Sequence, residues 1–265
     1  MKTFLRSLIL ICLSGSLSLV AIAETIPQSP SQSSTQPAQP QKPAAGPANS
    51  SANTIGDTTT LASLAGKRLS LDEMFLNLPR RVASKSGEPG DMVNLLVIGT
   101  KEQVTAALQS AGWVQPDRTA QDAIVHAIKE TMAHTAYSEM PMSQLYLFGR
   151  PQDFSFAEGM PIQIVAERNH FRLWGTPWID SGGRAVWAGA GTHDIGIEKN
   201  QAGQLTHRID PNVDNERDYI LETLQDARKV EKSLYVTPPN PIRQALTATG
   251  DDYRSDGRIL VIYLK

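Results

Sequence analysis

Residues 24–57 read ETIPQSPSQSSTQPAQPQKPAAGPANSSANTIGD and offer almost nothing to bury. Ser, Pro, Gln, Ala and Asn dominate, and large aliphatic and aromatic side chains are nearly missing. Such a composition cannot offset the entropy lost on ordering a backbone, so the stretch is expected to be a disordered tether. Any hydrophobic core must therefore come from residues 58–265, a length that suits one domain of roughly 200 residues.

Upstream of the tether the chain has the organisation of an export signal. Lys2 and Arg6 supply a positive start, residues 8–20 are mainly apolar, and Ala21-Ile22-Ala23 presents small residues at the cleavage positions. Residues 1–23 are therefore expected to leave as a signal peptide, placing the mature chain in the periplasm or outside the cell. An uncleaved signal would make it membrane-anchored instead, but Gly15 and three serines weaken the apolar run. It is also shorter than the roughly 20 residues that span a bilayer. No later segment is long and apolar enough to cross a membrane, so no transmembrane segment is expected after signal removal.

Cys12 is the only cysteine and lies inside the signal. The mature chain then has no thiol, which excludes disulfides, thiolate metal sites and cysteine nucleophiles. Loss of Lys2 and Arg6 leaves 23 basic against 27 acidic side chains, a net charge of −4. A mild acidic excess argues against nucleic acid as a partner, because phosphate contacts need a clustered basic surface.

Along residues 58–265 the apolar spacing alternates between helical and extended. Ser70 with Glu73 predicts a capped short helix through Met74 and Leu76. PRRVASKSGEPGD (residues 79–91) reads as a loop with a basic spot at Arg80, Arg81 and Lys85. VNLLVI (93–98) reads as a buried strand. Val104, Ala107, Leu108 and Ala111 then mark a helix that Gly112 stops. A second helix is expected from Asp117, with Ala120, Ile124, Ala127 and Ile128 as its stripe. LYLF (145–148) reads as a strand ended by the loop GRPQD. Further strands are expected within 162–174, 185–197, 205–209 and 259–264, and Asp210-Pro211 opens a helix to about Lys229. The fold class expected is α+β, a mixed β-sheet with helices packed on it in a single compact domain.

The polar chemistry concentrates in NHFRLW and in HDIGIEKNQAGQLTHRIDPNVDNERD (193–218). A period of two puts Phe171 and Leu173 on one face, with His170 and Arg172 projecting together from the other. Arg172 offers a fork of donors suited to carboxylate or phosphate, and His170 titrates near neutrality. Ala188-Gly189-Ala190-Gly191 implies close approach by a bulky side chain, a backbone or a ligand. His207 shares parity with Leu205 and Ile209 and is expected to face the apolar side as a hydrogen-bonded core residue, with Arg208 pointing away. Asp210 reads as the N-cap before Pro211, and Asp214, Glu216 and Asp218 complement the helix dipole. Arg217 falls on the stripe Val213, Ile220, Leu221, Leu224, so it needs a carboxylate partner from Asp210, Asp214 or Asp194.

Candidate catalytic residues are thus His170, Asp194 and His207, and candidate ligand-binding residues are Arg172, Arg208, Arg217, Asp210 and Asp214. The sequence has no HExxH, GxSxG, GxxxxGK[ST] or GxGxxG. No metal-ligand spacing falls on one element, and no metal or cofactor is expected.

The segments LYLFGRPQDFSF, RNHFRLW, WAGAGTHDIGI, THRIDPNVDNERD and DGRILVIYL together resemble the LssY C-terminal domain family, over residues 91–264. The resemblance implies a bacterial protein related to a secretion-associated one, with the Gram-negative periplasm as the favoured compartment. Some relatives join the domain to membrane domains of the lipid-phosphatase type, and no such partner domain is expected here. No catalytic residue is carried over by the resemblance. The residues themselves favour an accessory or binding module for an anionic ligand, such as a phosphorylated lipid headgroup or acidic glycan, or for an envelope protein. The alternative is a periplasmic hydrolase acting on phosphoesters through a His/Asp/Arg site.

Overall fold

The computed structural model describes residues 58–116, 142–159, 167–199, 205–248 and 250–265. The expected signal, the tether and the helix from Asp117 lie outside these residues. The domain is organised around one long hairpin, β8 (Glu167–Asp180) and β9 (Ala185–Lys199), paired from Glu167↔Ile195 to Ile179↔Ala185. Its turn has a local cause. Asp180 Oδ1 accepts from the Arg184 amide at 2.6 Å, and Gly183 takes φ +86°, a conformation side chains other than glycine resist.

Both free edges of the hairpin are shared between shorter strands. β7 (Phe154–Glu158) and β1 (Arg68–Leu69) divide the edge of β8, while β4 (Leu95–Ile98) and β10 (Leu205–Ile209) divide that of β9. Beyond β4 the sheet continues through β14 (Ile259–Leu264), parallel to it, and ends at antiparallel β11 (Val230–Val236). These strands form one eight-stranded mixed sheet. A second, four-stranded sheet runs β3 (Pro89–Met92), β2 (Arg81–Ala83), β5 (Tyr146–Leu147) and β6 (Arg150–Pro151), and β12 (Gln244–Leu246) pairs with β13 (Asp252–Arg254).

The main sheet is buried on both faces, which explains the continuous apolar runs of β4 and β14. Leu95, Val97, Leu260 and Ile262 pack with Val104, Leu108, Ile220 and Leu224, from helices α3 (Lys101–Ser110) and α4 (Asp214–Asp226). Leu96, Ile98, Ile259 and Val261 face the other way, onto Met74 and Phe75 of α2 (Leu71–Asn77), Leu61 of α1 (Thr58–Ser63), and Val82 of β2. Ser70 and Glu73 make the reciprocal cap that the sequence predicts, Thr100 and Gln103 make a second, and Gly112 takes φ +93° just past α3.

The structure supports a compact domain built on a mixed sheet, but the helices are minor and the α+β expectation holds only roughly. Three local expectations change. Residues 79–91 contain the β2–β3 hairpin because Val82 and Met92 are buried in the core, a tertiary benefit that turn composition hides. GRPQD contributes β6 as well as loop. The last helix begins at Asp214, because Asp210 instead accepts from the Asn212 amide and the Asn215 side chain, closing a turn ahead of it; it ends at Asp226, shortly before Arg228 takes φ +58°. Strands β1, β7, β11, β12 and β13 were not foreseen, being very short, half-exposed or polar at alternate positions.

Candidate functional site

One face of the β8–β9 hairpin gathers the polar chemistry. Cross-strand pairs Arg168↔Asp194, His170↔Thr192 and Arg172↔Ala190 place the side chains of these residues side by side. A bulge completes the group: pairing between β10 and β9 steps from Arg208↔Gly196 to Ile209↔Asp194, leaving Ile195 as the extra residue. That step brings His207 onto the face of Asp194. Asp91 and Ser143 approach from the side of the smaller sheet. Apart from Ala190, these residues line a cavity of about 230 Å³ together with Thr206, Ile209, Thr247 and Ala248.

Asp194 is the hub. Its Oδ2 lies 3.3 Å from Arg168 Nη2 and 3.5 Å from Nδ1 of both His170 and His207. His170 Nδ1 is also 3.4 Å from the Arg168 carbonyl, and its Nε2 is 3.1 Å from Thr192 Oγ1. Arg172 donates through Nε and Nη2 to the carbonyl and hydroxyl of Ser143, each at 3.1 Å, and its Nη1 is 3.9 Å from Asp91 Oδ2. Burial, reinforced by Arg172 and Arg168 and opposed by Asp194, pushes His170 down to about 4, so its ring is neutral at physiological pH. Burial likewise lowers Arg172 against the pull of Asp91, and raises Asp91 against the pull of Arg172.

The small-residue run explains how the strands close up beneath this site. A Cβ on Gly189 would lie 2.9 Å from Leu173 Cδ2, and one on Gly191 would lie 3.0 Å from Ile220 Cδ1. The close approach is made by side chains of β8 and α4. Where β4 leaves β9, fully buried Asn94 takes over the ladder. Its side chain exchanges two 3.1 Å bonds with the Gly191 backbone, fixing the strand one residue before Thr192.

The family now follows from a match over the same elements, since the model of the LssY C-terminus covers residues 75–259. The chain belongs to the LssY C-terminus family. No curated protein and no solved structure matches it. The matched span of this LssY C-terminus domain includes every strand and helix that contributes to the cavity.

Of the sequence candidates, the fold brings His170, Arg172, Asp194 and His207 together. His207 is not a sealed core residue, because its side chain is 41% exposed at the cavity. His170 and Arg172 do lie opposite Phe171 and Leu173, yet they are buried, since the main sheet is covered on both faces. Arg208 is exposed and outside the cavity. Arg217 sits on the other side of α4, bound to Asp214, Asp218 and Asp256, while Asp210 serves its turn. Glu216 faces inward at 2% exposure instead of complementing the helix dipole in solvent. Its oxygens meet no donor in good geometry among the described residues; burial holds its carboxyl well above the usual range, and only the His170 backbone amide pulls it down.

The expected basic spot also dissolves. Arg80 is fully buried without a hydrogen-bond partner among the described residues, and burial takes its guanidinium to about 10. Arg81 donates to carbonyls of Pro89, Gly90 and Leu246. Four contributors to the site escaped sequence reasoning: Arg168, Thr192, Asp91 and Ser143. The first two had a usable signal, sharing strand parity with His170 and with Asp194. Asp91 and Ser143 had none. Among the described residues no three His, Cys, Asp or Glu side chains are arranged to hold a metal ion, and no helix is long and apolar enough to cross a membrane.

Proposed function

We propose that this is an exported envelope protein whose cavity binds and hydrolyses phosphoesters. The observation that supports it most is the single Asp194 oxygen within 3.5 Å of Nδ1 on two histidines that line the same open cavity. The Asp194 contact to His207 is an ion-pair distance and not a formed hydrogen bond; a carboxylate beside Nδ1 still favours one ring orientation and leaves Nε2 on the far side for proton transfer. His207, half-exposed, is the acid or base that reaches substrate. Arg172 and Arg168 suit the non-bridging oxygens of a phosphoryl group. Export is supported by the leader-like residues 1–23.

A second reading keeps the domain as a binding module for an anionic headgroup or glycan. It is favoured by the mutual pairing of Arg168 with Asp194 and of Arg172 with Asp91, which balances the charges of the cavity without chemistry. Turnover of aryl phosphate monoesters and diesters by the purified protein separates the two. The hydrolase reading expects His207→Ala to lower kcat by about 10²–10⁴-fold, the usual scale of a general acid or base. Arg172→Met should chiefly raise KM. Phosphate or headgroup binding by calorimetry, with no turnover and no effect of His207→Ala, would instead establish the binding module.

A further inference from the structure

Thr192, His170 and Asp194 form a second line through the same site, distinct from His207. The three are buried side chains of adjoining strands, all lining the cavity. Their order is hydroxyl, imidazole, carboxylate: Thr192 Oγ1 to His170 Nε2 at 3.1 Å, then His170 Nδ1 to Asp194 Oδ2 at 3.5 Å.

The protons in this line follow from the partners. The neighbours of Nδ1 are the Arg168 carbonyl and the Asp194 carboxylate, both acceptors. Nδ1 must therefore carry the proton of the neutral ring, which leaves Nε2 as a bare lone pair. A lone pair at Nε2 makes Thr192 the donor of the 3.1 Å bond. Two guanidinium groups beside the ring, Arg168 and Arg172, disfavour the imidazolium, so the ring rests neutral with Nε2 unprotonated; an anion bound beside those arginines offsets this penalty when the proton arrives. This is the arrangement an activated hydroxyl nucleophile requires: an oriented base on the hydroxyl, and an orienting carboxylate behind the base.

We propose that Thr192 is a covalent nucleophile, activated by His170 and Asp194, that attacks the phosphorus of a phosphodiester bound between Arg168 and Arg172. The choice of a diester, which rests on the phosphoester reading above, comes from charge. Two arginines here face two carboxylates, Asp194 and Asp91, so a singly charged diester is accommodated more readily than a monoester dianion.

In the step, Thr192 Oγ1 bonds to phosphorus while its proton passes to His170 Nε2. The bond from phosphorus to the leaving oxygen breaks with its electron pair, and that oxygen takes a proton from His207. Water then attacks the phosphothreonine, giving a proton to the His207 base. The Thr192 oxygen leaves and recovers its proton from His170.

Two measurements on the purified full chain test this separately from the parent reading. An alkyl fluorophosphonate, whose fluoride is displaced by an activated hydroxyl, is expected to label Thr192, as located by peptide mass spectrometry. Thr192→Val and His170→Gln should abolish the label, and Thr192→Ser should retain it, which guards against loss by misfolding. Absence of label from the folded wild-type protein, or label that persists in Thr192→Val, overturns the proposal. Turnover of bis(p-nitrophenyl) phosphate should fall about a hundredfold or more in Thr192→Val. Undiminished turnover in that variant would overturn Thr192 while leaving the hydrolase intact, with water as nucleophile. Labelled Thr192 without any phosphoester turnover would support the nucleophile and refute the phosphoester reading.

Discussion

Two arginine–carboxylate clusters, each around a buried arginine, are built to different ends in this domain. Around Arg217 all three guanidinium nitrogens donate. Asp256 takes a bidentate pair at 2.9 and 3.2 Å, Asp218 accepts from Nε at 2.8 Å, Asp214 lies 3.1 Å from Nη1, and the Tyr235 ring lies against the guanidinium at 4.8 Å. Burial works against that charge, but Asp256, Asp218 and Asp214 outweigh it and hold Arg217 above its ordinary range. Around Asp194 the contacts are longer, one oxygen is shared by three partners, and the group opens onto a cavity. Short saturated bonds tie α4 to the loop before β14. Longer shared ones leave groups whose protonation and partners can change. A buried ion pair by itself thus says little about function; its degree of saturation and its access to solvent say more.

The largest expected effect tests the first half of that contrast. Arg217→Met takes away the buried cation that Asp214, Asp218 and Asp256 share; these keep other donors and Asp218 is half-exposed, so the cost should lie at the lower end for a broken buried pair, about 3–4 kcal/mol, visible as a marked fall in melting temperature. It should leave fluorophosphonate labelling of the folded fraction intact. A melting temperature equal to wild type would mean the cluster is not structural and would dissolve the comparison.

A smaller effect sharpens the second half. His170 has a folded pKa of about 4 against an ordinary 6.5, so the unfolded chain takes up its proton first as the pH falls. Its contribution is fully present above pH 6.5, is lost progressively down to pH 4, and levels below that. The swing is up to about 3 kcal/mol. Denaturant unfolding across this window should show a slope in the wild type that is flatter in His170→Gln. Equal slopes would mean that His170 is not sealed by Arg168, Arg172 and Thr192.

The smallest effect is a control that belongs to neither cluster. Arg208 is exposed, so Arg208→Ala should change stability by less than about 0.5 kcal/mol and leave turnover unaltered. A clear loss of substrate affinity would extend the site beyond the cavity.

Much of this was determined locally. Ser70 with Glu73 and Gly112 mark helix ends through backbone chemistry that acts within a few residues. The 93–98 and 259–264 runs declare buried strands because both their faces are covered. Strand parity separated His170 and Arg172 from Phe171 and Leu173, and helical spacing placed Arg217 on the buried stripe with Asp214 among its expected partners. Tertiary structure alone decided the rest. Which edge of β9 carries β10, and the extra residue at Ile195, set His207 against Asp194; a one-residue change of register would turn it to the other face. Asp91 and Ser143 reach Arg172 from segments distant in the chain, and Asp256 reaches Arg217 in the same way. Their side chains look like ordinary loop residues in sequence. Only the packing of two sheets and a helix, driven by burial that no single segment encodes, gives them their partners.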